Sequence, residues 1–497
     1  MKFSPNSRRL LYVALALLVV VPCAGYLSRV ALAGWAFRGA LEMAGADEIK
    51  FRVANASPWR VVFEDLDFRF RTQPFAAGRV ALERTHWWQP SIGVVKIEAM
   101  RLPLTVDGSD TKPWAWSSYQ GGESSISAVQ VPLEKITIDG EVVVQAAALD
   151  GKNVRVKFEA QQGEGGLWQA KLDAQGEGLG VEATGTVDQS SFEVNFDAPK
   201  ISLDLAVWQK FIHRMVLLPG GPWEMGGQVT ASAHGRIKGK EIATQAVFAL
   251  REGRAKDAAG RVDATGIQVD LVIDDVWAVK TRPGTLRIQE VRSGKLALFN
   301  ADVEFALETA EKIVVSRATL QALGGNVTTE PFNYFPNLRE LEVTVSVDDI
   351  SVEQVMALTE DLPAAATGRV KGYLPLSIDD TGVRLGTGWL ELKRDTAAEV
   401  QLHARGLLTG GVSKNSPSYA VLNKIESGLL RLRMTELRLD IRPPNAPPGR
   451  SAQLRIKGEP TDPEVKAPVN LDLNVNGPIE SLINLGLKND LKLGTKP

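Results

Sequence analysis

Few residues in this chain could do covalent or metal chemistry. Its four histidines, His86, His213, His234 and His403, are scattered, and its one cysteine is Cys23. No histidine stands in a His-Glu-x-x-His spacing, which would set two imidazoles on one helical face around a zinc ion. A lone cysteine excludes an internal disulfide and any cysteine-based zinc site. No Gly-x-Ser-x-Gly segment offers a nucleophile elbow. Carboxylates are plentiful, and a glycosidase needs only a facing pair. Here, however, they occupy mostly the polar positions of alternating segments, and Asp379-Asp380 and Asp107 to Asp110 read as turns. The glycine-rich stretches Gln161 to Gly166 and Ala174 to Gly180 join strand-like segments and lack the following helix that a dinucleotide-binding loop requires. The expectation is a protein that is not an enzyme and has no cofactor or metal site.

The informative residues are apolar ones repeating every second position. Leu341, Val343, Val345 and Val347 alternate with Glu342, Thr344, Ser346 and Asp348. Successive side chains of a strand point to opposite faces, so this is a strand with one dry and one wet face. The same period places Val62, Leu66, Phe68 and Phe70 on one face, then Val154, Val156 and Phe158, and then Phe192, Val194 and Phe196. It continues through Val303, Phe305 and Leu307, through Leu437, Leu439 and Ile441, and through Val469, Leu471, Leu473 and Val475.

Helical spacing is rare. Asp204 to Gly221 reads as an amphipathic helix ended by Pro219-Gly220-Gly221. Val352, Val355 and Met356 mark a short helix before Pro363, and Ser418 to Ile425 marks another. Pro478 to Leu491 reads as a last short amphipathic helix. Ile201-Ser202-Leu203, helix, proline, Gly227 parallels Ile350-Ser351-Val352, helix, proline, Gly368, which points to an internal repeat.

At the amino terminus Lys2, Arg8 and Arg9 precede Leu10 to Leu27, an uncharged apolar run long enough to cross a bilayer. The basic residues predict a cytoplasmic amino end with the remainder translocated. Ala31-Leu32-Ala33 has the form of a signal-peptidase site, so a cleaved leader is the rival reading. Pro22 stands against a lipid anchor on Cys23. Trp87-Trp88 and Trp114 with Trp116 fit either loop packing or contact with the membrane interface.

The 57 Lys plus Arg against 59 Asp plus Glu give net −2, with no basic cluster of the kind that tracks nucleic acid. No low-complexity linker divides the body. So many one-faced strands must split into sandwiches, close as a barrel or curl into an open trough. The missing linkers and scarce helices favour the trough, in which acyl chains could slide.

Here the chain resembles the AsmA-like superfamily of bridge-like lipid-transfer proteins. It is most similar to the YdbH family, whose carboxy-terminal region carries the name dicarboxylate transport domain. The motifs are Leu323-Gly324-Gly325-Asn326, Gly368-Arg369-Val370-Lys371-Gly372-Tyr373-Leu374-Pro375-Leu376, the hairpin Gly382 to Leu390, and Pro468 to Pro478. The resemblance implies an inner-membrane protein with its body in the periplasm, moving phospholipid toward the outer membrane with help from a small outer-membrane lipoprotein. No convergent basic pocket supports a dicarboxylate ligand.

The expected fold is therefore mainly β: a transmembrane helix, then an elongated, curled antiparallel β-groove with a few short helices. The expected parts are 1–29 as tail and anchor, 30–320 as the first part of the groove, and 321–497 as the YdbH-like part. The competing expectation is a structural or adhesive β-repeat protein whose dry faces seal against each other.

Overall fold

The computed structural model describes residues 28–475, except 71–72, 86–91, 107–132, 147–148, 189–190, 192, 216–222, 239–240, 259, 339, 359–363, 380–381, 395, 403–408, 443–450, 464 and 466–467. The apolar run Leu10 to Leu27, the tryptophans at 87, 88, 114 and 116, and the expected helix Pro478 to Leu491 lie outside these residues. No helix among the described residues is long and apolar enough to cross a membrane.

The chain divides into two compact units. The first holds residues up to Leu203 with 210–215 and 232–243; the second holds 204–209, 216–231 and 244 onward. The first unit opens with helix α1, residues 28–43. Nine strands come after it: β1 (Ala46–Ala56), β2 (Arg60–Phe70), β3 (Gln73–Glu83), β4 (Val94–Val106), β5 (Lys135–Ala146), β6 (Leu149–Gln162), β7 (Leu167–Gly176), β8 (Leu179–Asp188) and β9 (Glu193–Asp204). Each pairs with its neighbour in sequence. Alternation made these strands because one face is apolar and the other carries charge.

One pairing departs from the antiparallel expectation. Strands β4 and β5 run parallel, with Val94 level with Lys135 and Val106 level with Ala146. Side-chain alternation is the same in both strand directions, so the sequence pattern could not report this. A parallel pair needs a long crossover, whereas a hairpin needs about two residues; the long connection between Val106 and Lys135 meets that need.

Helix α2 (Leu205–Met215) and strands β10 (Trp223–Lys238) and β11 (Glu241–Asp257) have residues in both units. The second unit continues with β12 (Val262–Asp275), β13 (Lys280–Thr281), β14 (Gly284–Ser293), β15 (Leu296–Thr309) and β16 (Lys312–Ala322). Then come β17 (Gly325–Thr329), β18 (Phe332–Tyr334), β19 (Leu341–Ser351), helix α3 (Val352–Ala357), β20 (Ala364–Ala366) and β21 (Arg369–Asp379). The last elements are β22 (Gly382–Leu385), β23 (Gly388–Leu392), β24 (Glu399–Leu402), helix α4 (Pro417–Leu430), β25 (Arg431–Ile441), β26 (Ala452–Pro460) and β27 (Val469–Val475).

Strands β17 and β18 form one line interrupted at Pro331, which has no N–H to give the ladder. Strands β22 and β23 likewise share β21 as partner. All the described pairings of β11 to β27 are antiparallel.

Three of the expected short helices are present, as α2, α3 and α4. Ser351 caps α3 by accepting a hydrogen bond from the Gln354 N–H at 3.3 Å, and Ser416 caps α4 from the Ser418 N–H at 3.3 Å. The two parallel sequence segments also share a backbone feature. Gly227 and Gly368 have φ of 123° and 130°, where a side chain would be strained.

Candidate functional site

Residues directly opposite one another in a β-ladder point to the same face. In the first unit the registers chain into one line through nine strands: Ala56, Val61, Leu82, Val95, Ile136, Ala160, Ala170, Gly185 and Phe196. Every member is apolar or glycine. A parallel line two residues away runs Val53, Phe63, Val80, Ile97, Ile138, Phe158, Leu172 and Ala183. At about 4.8 Å per strand, the first line is about 38 Å long.

The second unit repeats the arrangement. Leu320, Val327, Val347, Gly372, Leu390, Leu439 and Leu454 are opposed pairwise through β16, β17, β19, β21, β23, β25 and β26. The backbone register carries the line on to position 473 of β27. Upstream, Leu250, Val269, Leu286, Val303 and Ala318 make a further line across β11, β12, β14, β15 and β16. Ala318 and Leu320 are two apart on one strand, so both lines lie on the same face.

Burial decides what kind of face this is. Leu320, Val327, Val347, Leu390, Leu439 and Leu454 are each half-buried. So are Val61, Leu82, Val95, Ile136 and Phe196. In a sealed sandwich the inward residues of central strands are buried between two sheets. Here long apolar lines keep solvent contact along most of their length.

The neighbouring lines, one residue along each strand, are polar. Thr319, Thr328, Ser346, Tyr373, Trp389, Asp440, Gln453 and Asn474 oppose one another through the same eight strands. The Arg438 guanidinium lies 5.7 Å from the Trp389 ring centre, a cation–π contact that accounts for an aromatic on the wet face. Cross-strand ion pairs populate this face: Lys371–Glu391 at 3.2 Å, Arg438–Glu391 at 3.4 Å and Lys457–Glu436 at 2.6 Å. The Lys457 hydrogen bond, more than its charge, holds the Glu436 carboxyl below its ordinary range. Lys135 acts the same way on Glu159 in the first unit.

Bulges keep the apolar residues together where strict alternation would separate them. Asp65, at φ 53°, lies between Phe63 and Leu66, and both pack in one cluster with Ala77 and Val80. Asp349, at φ 63°, comes just before Ile350, and the register of β19 against β21 shifts there. Arg369 braces that point by donating to the carbonyl oxygens of Gly324 and Asp349 at 2.8 and 2.9 Å. Lys393 donates to Asp349 at 3.1 Å and Asp348 at 3.3 Å, and these bonds raise its pKa. A bulge inserts one residue and so flips the parity of every later residue in its strand.

Protein side chains cover parts of the apolar faces. Phe37 of α1 stacks on Phe63 with ring centres 3.9 Å apart and meets Phe51 edge-on at 5.3 Å. Leu41 joins the same cluster. In the second unit Val352 and Met356 pack against Ala366, Leu392, Ala398, Val400, Leu432, Met434 and Ile456.

The residues singled out by alternation divide between the two faces. Leu66 and Phe68 join the α1-covered cluster, while Phe70 is exposed at its margin. Val62 points the other way, in the line Val62, Ala81, Lys96, Thr137, Glu159, Lys171, Thr184 and Asp197. The bulge at Asp65 is the reason, because it moves Val62 out of phase with Leu66. Val154, Val156 and Phe158 share the apolar face with Val194 and Phe196; Phe192 lies outside the described residues.

Val303, Phe305 and Leu307, and likewise Leu437, Leu439 and Ile441, lie on the apolar face of the second unit. Leu341 and Val347 are half-buried there, whereas Val343 and Val345 are each 9% exposed. Val469 and Leu471 stand opposite Gly458 and Ile456, and residues 473 and 475 are placed by backbone alone. Leu320, Val327, Leu390 and Leu454 belong to the same lines but were not among the expected lining. The first three lie in segments whose alternation lasts too few residues to stand out. Leu432 and Met434 were also missed, because the shift between Met434 and Glu436 breaks their phase with Leu437. His213 lies on α2 and His234 on β10, while His86 and His403 fall outside the described residues.

A family model named YdbH-like, described as intermembrane phospholipid transport protein YdbH, matches residues 45–392. The chain belongs to the YdbH-like family. The YdbH-like match takes in β1 to β23, including the whole first apolar line and the second as far as Leu390. It contains the motifs at 323–326, 368–376 and 382–390; the motif Pro468 to Pro478 lies beyond it. YdbH-like proteins are a lipid transport family rather than an enzyme family. Comparison with curated proteins and with solved structures returns no match.

Proposed function

We propose that this chain carries phospholipid between the inner and outer membranes, with acyl chains lying against the half-exposed apolar lines. Leu10 to Leu27 anchors it in the inner membrane and the body stands in the periplasm. The observation that carries the reading is the line Leu320 to Leu454, apolar or glycine on each of its seven strands and still half-exposed at its side chains. Acyl chains laid on it would leave water at about 25 cal/mol per Å² of apolar surface. Because successive strands offer similar leucines and valines, a lipid would meet no deep trap along the line. In this reading a small outer-membrane lipoprotein would meet the chain at β27, whose described pairing is with β26, by adding a strand to the sheet.

Mass spectrometry of the chain extracted in mild detergent tests this reading. Phospholipid should leave with the protein in defined amount. A protein that purifies without lipid, and whose apolar residues resist solvent exchange, is instead a sealed structural β-repeat.

A further inference from the structure

Helix α1 has two apolar faces, and among the described residues protein covers only one. Gly34, Phe37 and Leu41 follow helical spacing toward the sheet; a β-carbon on Gly34 would stand 3.3 Å from Val53 Cγ2. Leu32, Trp35, Gly39 and Met43 follow the same spacing on the opposite side. Leu32 is 56% exposed, Trp35 77% and Met43 86%. Trp35 is among the most exposed large apolar residues of the described chain. Arg29 and Arg38 fall at the two flanks of this arc, and the Arg38 guanidinium lies 5.6 Å from the Phe51 ring centre.

The sequence supplies the occupant. The uncharged run Leu10 to Leu27 directly precedes α1 in the sequence, so a bilayer that takes up that run would come within reach of the outer face of α1. Tryptophan at the edge of an apolar run, with arginines flanking an apolar arc, is the chemistry of a helix lying in a bilayer interface.

We propose that the Leu32, Trp35 and Met43 face of α1 lies in the headgroup layer of a phospholipid bilayer. Its Phe37 and Leu41 face at the same time roofs the first strands of the apolar sheet. The helix thereby sets the start of the apolar face at the level where acyl chains begin. This placement deepens the transport reading and takes the identity of the surface from it, yet it can fail separately.

The test uses the full chain carrying Cys23→Ser, reconstituted in vesicles of phosphatidylethanolamine and phosphatidylglycerol. Leu32→Cys, Trp35→Cys and, off the arc, Ala40→Cys are each labelled with a nitroxide. Collision with dissolved oxygen and with an aqueous nickel chelate then reports depth. The labels at 32 and 35 should favour oxygen severalfold over the label at 40, at a depth of about 5–10 Å. Equal access of nickel to all three overturns the proposal, and so does dipolar broadening between copies at position 35, which would mark a dimer face. A photo-crosslinker at Leu439 in the same vesicles separates the two readings. Lipid captured at 439 with a water-exposed label at 35 removes only the helix placement. A membrane-embedded label at 35 with no lipid at 439 leaves the placement standing and removes transport.

Discussion

Gly372 faces Leu390 so closely that a β-carbon on the glycine would stand 2.5 Å from Leu390 Cδ2 and closer still to the Trp389 carbonyl oxygen. The glycine is thus a close-packing point in the middle of the apolar line. Gly372→Ala must push β21 from β23, and forced overpacking of this kind costs about 1–3 kcal/mol. Denaturant unfolding of the second unit should shift to lower midpoint by that amount. An unchanged midpoint would mean that the two strands are not in this register.

Leu439 is half-buried, so its protein packing is incomplete. Leu439→Asp should cost folding stability about 1–3 kcal/mol and leave the chain folded. It should nevertheless reduce bound phospholipid severalfold, because an uncompensated carboxylate against acyl chains is strongly unfavourable. Thr328→Asp, on the wet face next to Val327, should leave lipid content unchanged. Extraction and phosphorus assay of the two variants decides it, and equal loss in both would remove the distinction between faces.

Val279 has φ of 53° in the turn between β12 and β13, a region that β-branched residues rarely adopt. The left-handed conformation costs an L-residue about 1–2 kcal/mol. Val279→Gly should therefore raise the unfolding midpoint, with a gain of about 1 kcal/mol after the glycine's extra chain entropy. A loss of stability would show that the Val279 side chain packs more than its backbone strains.

Glu436 accepts a hydrogen bond from Lys457 at 2.6 Å, and its pKa is lowered in the folded state. A depressed carboxyl stabilises the fold above its unfolded pKa and loses that contribution as pH falls through the folded value. The advantage of the native chain over Glu436→Gln should be present at neutral pH and fade in the acid range. High salt should shrink it throughout, since the pair is largely exposed. A difference that grew on acidification would contradict the assignment.

The strands themselves were readable because alternation lasts long enough in segments such as Leu341 to Val347 and Leu437 to Ile441. Their phase was not readable across bulges. Val62 and Leu66 have the same parity in sequence but opposite faces in the fold, and Leu432 and Leu437 the reverse. A single residue in the left-handed region, as at Asp65 or Asp349, carries no compositional mark when it is neither glycine nor asparagine. The β4–β5 parallel pair was invisible for another reason: side-chain period is blind to strand direction. The lines themselves became visible only through cross-strand register, because Leu320, Val327 and Leu390 come from different strands and no stretch of sequence sets them side by side.

Adjacent residues test most directly whether lipid lies on one face of the sheet and not on the other. Photoreactive side chains at Leu390 and Leu439 should capture phospholipid in intact cells, while those at their neighbours Glu391 and Arg438 should not. Labelling at all four positions alike, or at none, would contradict the one-sided placement.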